Sequence, residues 1–235
     1  MTYTSGWKNS LQSRSPEELL CHERILTWDI SSGEKVIVAG GYQGVVCAYM
    51  LERYPDIDLY TWEPQPHMYN TMVKRFKGVD NIHIYDYGLG EIDGVFPMTQ
   101  GGNDACSFII DPTKNKSNLL ARMRDFVQVM DELQIERLAL FHMNIESYEH
   151  ILLPYLIRTK WIDRIDQLVV STHGIQPNNP RVESWDWIME NLARTHNLYW
   201  IQRGFHSWYK TGRKAVYLPA VLNVPAEGVQ TNEVH

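Results

Sequence analysis

The chain has 235 residues and a formal net charge of −6, so it is long enough for one α/β domain with a sizeable core. Its acidic balance gives no support to a nucleic-acid partner, because proteins that bind phosphate backbones usually carry a basic excess. The three cysteines are odd in number and far apart, which predicts reduced thiols in a cytoplasmic protein and no metal site. No apolar run approaches the roughly 18 residues of a membrane span, so we expect no membrane partner.

The first helix is predicted to begin at Ser15, a residue type that caps helices, with Pro16 at the first helical position and Glu18 three residues after the cap. We therefore divide the chain into an N-terminal arm and helix (residues 1–33), one domain (34–225) and a flexible tail (226–235).

Three strand-helix units follow in order. Short apolar runs predict strands at residues 35–39, 59–62 and 82–85, separated by helical patterns at 42–53 and 68–76. Consecutive units of this kind wind right-handedly and give a parallel sheet.

In the second half of the domain, short extended segments interrupt the alternation of strands and helices, which then resumes. We expect a hairpin or flap built from residues 94–96 and 107–110, and a long helix at 117–133. Further strands are predicted at 138–142 and 167–171, helices at 148–157 and 183–195, and a closing antiparallel pair at 198–201 and 215–218. The expected fold is α/β and Rossmann-like, with a mostly parallel sheet, a C-terminal antiparallel strand pair and helices on both faces.

A glycine-rich turn and an acidic residue point to a nucleotide-type cofactor. The turn joins the first strand to the first helix of the sheet, and reads Gly40-Gly41-Tyr42-Gln43-Gly44. Small residues at such a turn let a ligand approach the backbone and the free N–H groups at the helix start. Glu63 closes the neighbouring strand, where a carboxylate can accept hydrogen bonds from a ribose diol.

Other polar residues follow the remaining strands. Asp86, Asn144 with Glu146, and His173 are expected along the same carboxyl edge of the sheet, where open α/β sheets bind ligands. The long segments 88–116 and 173–182 on that edge are expected to supply substrate contacts and a lid.

Five short motifs resemble, in order, those of the FkbM-type methyltransferases. The glycine turn stands in the place of the family's Asp-Val-Gly-Ala-Asn-x-Gly, and residues 62–66 (Trp-Glu-Pro-Gln-Pro) are similar to Phe-Glu-Pro-x-Pro. Residues 88–94 resemble Ala-Leu-Gly-Asp-x-x-Gly, residues 142–149 (His-Met-Asn-Ile-Glu-Ser-Tyr-Glu) resemble Lys-Ile-Asp-Val-Glu-Gly-Ala-Glu, and residues 171–173 (Ser-Thr-His) resemble Glu-Val-His. The match extends over roughly residues 34–175.

The resemblance implies a class I methyltransferase fold, S-adenosylmethionine as cofactor, and methyl transfer to a hydroxyl of a sugar or secondary metabolite. The partner is then a small-molecule acceptor, with a homodimer left open. The expected cofactor-binding residues are Gly40, Gly41, Tyr42, Gln43, Gly44, Glu63, Pro64, Asp86, Tyr87 and Asn144. The candidate catalytic residues are Glu146 and two histidines whose ordinary pKa suits a base at neutral pH, His142 and His173.

Three positions depart from the family pattern: Val38 replaces an aspartate, His142 a lysine and Asn144 an aspartate. A catalytically inactive, methyltransferase-like binding protein is therefore a second hypothesis. An NAD(P)-dependent oxidoreductase is a third, although the turn is not Gly-x-Gly-x-x-Gly and no Tyr-x-x-x-Lys pair lies on a predicted helix.

Overall fold

The computed structural model describes residues 28–99, 106–108, 119–174, 182–202 and 204–212. The predicted N-terminal helix, the tail and the strand at 215–218 lie outside these residues. Ten strands are present in the described part of the chain: β1 (Lys35–Ala39), β2 (Asp58–Trp62), β3 (Ile82–Tyr85), β4 (Gly88–Gly90), β5 (Gly94–Met98), β6 (Leu119–Asp125), β7 (Leu140–Met143), β8 (Gln167–Ser171), β9 (His196–Gln202) and β10 (Phe205–Lys210).

Five α-helices alternate with these strands in the same part of the chain. They are α1 (Val45–Arg53), α2 (Pro66–Arg75), α3 (Phe126–Glu132), α4 (Glu149–Arg158) and α5 (Trp185–Leu192). None of them is long and apolar enough to cross a lipid bilayer.

Seven strands form the main sheet in the order β3-β2-β1-β7-β8-β10-β9. The first five are parallel neighbours, whereas β10 runs antiparallel to both β8 and β9. The predicted mostly parallel sheet with a C-terminal antiparallel pair is confirmed. β9 pairs with β10 across a short connection, and its predicted partner at 215–218 lies outside the described residues.

Two apolar clusters cover the two faces of this sheet. One joins β1, β7 and β8 to α3, α4 and α5, and the other joins the opposite sides of the same strands to α1 and α2. Alternate residues of a buried strand must face opposite clusters, as Ile37 and Val38 of β1 do. The prediction of helices on both faces is confirmed.

A second, three-stranded sheet has the order β4-β6-β5. The long helix predicted at 117–133 is wrong over its first part, since Leu119–Asp125 is strand β6 and the helix begins only at Phe126. Leu, Ala, Arg and Met all favour helices, but Ala121, Met123 and Asp125 alternate with more exposed neighbours and pair with β4 and β5. The Asp125 side chain then caps α3 by accepting from Gln128 N–H at 2.9 Å.

Candidate functional site

The order of the main sheet reverses between β1 and β7, because β2 and β3 continue on one side of β1 while β7 and β8 continue on the other. Loops leaving two such strands diverge and open a crevice at their carboxyl ends, where doubly wound sheets bind ligands. In this chain the glycine turn follows β1 and residues 144–148 follow β7. The fold therefore places the two strongest sequence motifs on opposite sides of one crevice.

A cavity of about 270 Å³ occupies this crevice. Seven predicted site residues line it: Gly40, Gly41, Tyr42, Glu63, Pro64, Asn144 and Glu146. The segment after β3 forms part of its wall, as expected for the predicted substrate loop, through Gly88, Leu89, Met98, Cys106 and Phe108. Sequence analysis did not name the remaining wall residues as binding residues, although some stand in the quoted motifs: Ala39, Val45, Val46, Trp62, Gln65, Ile145 and Tyr148. All but Gln65 are apolar or aromatic, and such residues in a cavity wall carry the same signal as core residues.

The glycine turn is set by close backbone packing. Gly40 has φ +82°, and a Cβ there would lie 1.9 Å from the carbonyl oxygen of Asn144. At Gly41 a Cβ would lie 2.6 Å from Thr61 Oγ1 and from Met72 Cε. Both N–H groups donate to the carbonyl of Trp62, at 3.1 and 3.0 Å. Glycine at position 40 therefore lets the β1 turn lie against the β7 loop, and glycine at position 41 lets it lie against β2 and α2.

Helix α1 begins beside the cavity after Gly44, which has φ +78° and offers no side chain to cap the helix. A Cβ at Gly44 would meet Phe76 Cε2 at 2.5 Å, so this glycine serves the packing of α2 on the turn. The first residues of α1, Val45 and Val46, line the cavity. First-turn N–H groups lack partners within a helix and are available to an acceptor on a ligand.

The buried carboxylate of Glu63 links the turn to the next strand. One oxygen accepts from Tyr42 N–H at 2.8 Å and the other from Gln65 N–H at 2.9 Å. Burial raises the pKa of Glu63, and these two hydrogen bonds oppose the rise. Each carboxylate oxygen has a second lone pair, so Glu63 holds the turn and still has acceptor capacity at the cavity wall.

Asn144 contributes a polar atom to the opposite wall. Its backbone N–H donates to the carbonyl of Ala39 at 3.0 Å. Its side-chain Oδ1 is buried and has no hydrogen-bond partner among the described residues. Asn144 also lines the cavity, so a donor on a ligand is one way to satisfy this buried acceptor.

Glu146 and Ser147 lie in a strained turn between β7 and α4, with φ of +54° and +79°. Residues other than glycine rarely adopt such values, which persist where the surrounding structure enforces them and cluster at functional sites. Ser147 Oγ donates to the carbonyl of Gly174 at 3.0 Å.

This turn gives a stability prediction. We expect Ser147→Val to lower the free energy of unfolding by about 1–2 kcal/mol, because a β-branched side chain is strongly disfavoured at positive φ. Ser147→Gly should stay within about 0.5 kcal/mol of the parent, since backbone relief offsets the greater freedom of the unfolded chain. Urea unfolding of both variants measures this, and equal effects of the two substitutions would contradict the strain.

The remaining predicted site residues lie away from the cavity. Gln43 accepts a hydrogen bond from Arg75 through its carbonyl. Asp86 is largely exposed and is 3.7 Å from Arg122, and the Tyr87 ring packs under the guanidinium of the same arginine. His142 is 1% exposed inside β7, because the strand alternation that points Phe141 and Met143 to one face turns His142 to the other. The structure does not bring these four residues to the cavity.

His173 lies just behind the cavity wall, between two carboxylates. Its Nδ1 is 3.1 Å from Glu149 Oε1, and its Nε2 is 3.5 Å from Glu146 Oε1. Burial alone would lower the pKa of His173, but the hydrogen bond to Glu149 and the charges of both glutamates outweigh it and raise the pKa. Glu149 was not among the predicted site residues, although the motif at 142–149 ends on it.

Comparison with known proteins places the chain by its fold. No family model matches it, and no curated protein matches it in sequence. Among solved structures, an rRNA methylase from Streptococcus thermophilus is similar with 12% identity, coverage of 83% of this chain and 97% of that chain, and a TM-score of 0.47. A SAM-dependent methyltransferase from Aquifex aeolicus has 13% identity, 88% and 98% coverage, and a TM-score of 0.45. The N-methyltransferase NodS from Bradyrhizobium japonicum, solved with S-adenosylhomocysteine, has 10% identity, 89% and 94% coverage, and a TM-score of 0.45.

At these identities and TM-scores, the fold assignment rests on the strand order of the chain itself. If the seven strands of the main sheet are renumbered 1 to 7 in chain order, they lie in the order 3-2-1-4-5-7-6. Strand 7, which is β10, is antiparallel to both of its neighbours. This is the Rossmann-like class I methyltransferase fold. The fold positions the glycine turn, Glu63 and Asn144 at the carboxyl edge, but it does not select the acceptor.

Proposed function

We propose that this protein is an S-adenosylmethionine-dependent methyltransferase of the FkbM type that methylates a hydroxyl of a sugar or secondary metabolite. The observation that carries the proposal is the charge of the cavity. Among the described residues, its wall holds two carboxylates, Glu63 and Glu146, an unpaired amide oxygen on Asn144, and no Lys or Arg. A ligand with positive groups and a ribose diol fits such a wall better than one with a pyrophosphate.

The residues fit the cofactor one part at a time. Glu63 is placed to accept hydrogen bonds from the ribose hydroxyls. We assign Asn144 Oδ1, the unpaired acceptor, to the cofactor's ammonium group. Gly40 and Gly41 leave room for the cofactor to approach the protein backbone. The uncapped start of α1 suits the carboxylate of the cofactor. The side chain of Val38 is buried in the core on the α1 face, and we assign to Asn144 the contact that the family's aspartate makes near the ammonium group.

When bound, the cofactor supplies an electrophilic methyl carbon, so positioning of the acceptor hydroxyl accounts for much of the catalysis. Glu146 is the candidate general base, because it is the carboxylate on the β7 side of the cavity. In that role it would take the proton of the acceptor hydroxyl as the methyl group is transferred to the oxygen. Burial raises the pKa of Glu146, the charge of His173 lowers it, and the charge of Glu149 raises it, so that the net shift is upward. A raised pKa moves the group toward the range where a carboxylate is an effective base.

Two further features support an active enzyme with a small acceptor. The replacement of lysine by His142 falls in the core and leaves the cavity wall unchanged. The net charge of −6 favours a small neutral or cationic acceptor over a nucleic acid.

A thermal-shift titration tests the cofactor. At about 100 times its dissociation constant, S-adenosylmethionine should stabilise the protein by about 2.7 kcal/mol, a rise of about 5–11 °C in Tm. S-adenosylhomocysteine should act similarly, and NAD and NADP should have no effect. A shift with NAD alone would overturn the proposal in favour of an oxidoreductase.

A catalytically inactive binding protein is the second candidate, favoured by Asn144 in place of the family's aspartate. Incubation with methyl-labelled cofactor and a panel of hydroxylated sugars and phenols separates the two. Label on an acceptor supports the enzyme. Cofactor binding with no label on any acceptor favours the binding protein.

A further inference from the structure

Three acidic and basic side chains form a line that leads from the cavity into the protein. We call Glu146, His173 and Glu149 the acid-imidazole array. Glu146 lines the cavity, His173 Nε2 lies 3.5 Å behind it, and Glu149 lies 3.1 Å from the other ring nitrogen. Each member comes from a different place in the chain: the turn after β7, the end of β8, and the start of α4.

Glu149 is fixed more firmly than the other two. It is 0% exposed, and its Oε1 also accepts from Ile145 N–H at 2.7 Å. Its second oxygen, Oε2, is buried without a hydrogen-bond partner among the described residues. Burying a carboxylate is costly unless a charge or a donor compensates it, and the charged side chain in contact with Glu149 is His173.

We propose that Glu149 is a positioning residue that keeps His173 in the imidazolium form, and that His173 in turn keeps Glu146 ionised and aimed at the cavity as the base. This inference rests on the proposed function. A doubly protonated imidazole donates from both ring nitrogens, so it satisfies both carboxylates. A neutral ring would leave one carboxylate facing a lone pair.

The array explains how Glu146 stays ionised in the cavity wall although burial favours its neutral form. Burial favours the neutral form of Glu146, and the adjacent imidazolium opposes this effect. When Glu146 accepts the hydroxyl proton, the charge it loses is next to His173, whose second carboxylate partner still balances the ring. The proton can then leave Glu146 for solvent after the product departs, without a change at Glu149.

The other titratable groups near His173 meet different atoms. His150 Nε2 is 3.1 Å from the carbonyl oxygen of His173 and does not contact its ring. His206 Nδ1 is 3.5 Å from Thr172 Oγ1, one residue earlier. Among the described residues, the charges that act on the His173 ring are those of Glu149 and Glu146.

The test is an NMR titration of the histidine ring nitrogens in the full chain, with His173 assigned from the signal lost in His173→Gln. The His173 midpoint should lie above the ordinary value of about 6.5. Glu149→Gln preserves size and the acceptor for Ile145 N–H, and should lower the midpoint by at least about 1 pH unit. Glu146→Gln should lower it by a smaller amount, because its contact is longer. Glu190→Gln on α5 removes the same charge at an exposed site and should leave it unchanged.

A wild-type midpoint at or below about 6.5, or an equal midpoint in Glu149→Gln, would overturn the proposal. If Glu149→Gln does not fold, the wild-type titration still decides whether His173 has a raised midpoint, and a value at or below about 6.5 overturns the proposal. No cofactor or acceptor enters this experiment. Loss of cofactor binding in the thermal-shift titration therefore counts against the proposed function alone, and a wrong midpoint counts against the array alone.

Discussion

Gly40→Ala is expected to abolish cofactor binding and to lower the free energy of unfolding by about 2–5 kcal/mol. The new Cβ would lie 1.9 Å from the Asn144 carbonyl oxygen and 2.9 Å from its carbonyl carbon. Both atoms are backbone, so neither can rotate away. The β1 turn and the β7 loop must separate, and the walls that carry Glu63 and Asn144 lose their spacing. Urea unfolding and isothermal titration with S-adenosylmethionine measure the two effects.

Gly78→Ala is the matched control. Gly78 also has φ +82°, but a Cβ there meets nothing within 4 Å. It should therefore show the cost of the backbone conformation alone, about 1–2 kcal/mol, with cofactor affinity unchanged. Similar stability losses in the two variants would mean that the loop after β7 can move, and normal affinity in Gly40→Ala would contradict the placement of the cofactor in this crevice.

Glu63→Gln is expected to weaken cofactor binding by about 10- to 150-fold, because a hydrogen bond to a charged group contributes about 1.5–3 kcal/mol. The same change lowers stability by about 1–3 kcal/mol. The glutamine side chain has one acceptor oxygen, whereas Glu63 accepts from both Tyr42 and Gln65 N–H groups. One buried N–H would then face an NH₂ donor. Isothermal titration and urea unfolding again give both quantities.

Glu52→Gln removes the same charge at an exposed position of α1, at the end of the helix away from the turn. Its affinity should remain within about 3-fold of the parent, because an exposed charge is screened by solvent. A destabilised Glu63→Gln protein with full affinity would show that Glu63 only holds the turn and that the ribose is bound by another group.

The elements of the parallel sheet were predictable because each is specified locally. Residues 35–39 are an apolar run bounded by charge and glycine, and Pro55 follows the first helix after one residue. Such signals depend on neighbours in the chain. The glycine turn and Glu63 were predictable for the same reason, since both are defined by their position relative to a strand end.

The errors arose where a distant partner decides the structure. The sequence of β6 favours a helix, and its pairing with β4 and β5 makes it a strand. Likewise the strand at Phe205–Lys210 was not predicted, and it enters the sheet by pairing with β8, which lies far earlier in the chain, as well as with β9.

By itself, the amino-acid sequence determined the strand-helix alternation, the glycine turn and the acidic residue that closes β2, since each depends on a few consecutive residues. Only the tertiary structure decided which of the candidate residues meet. It turned His142 into the core, left Asp86 and Tyr87 outside the cavity, and placed Glu149 behind His173. The physical reason is that the direction of a side chain from a buried strand or strained turn depends on sheet register and on packing between segments far apart in the chain.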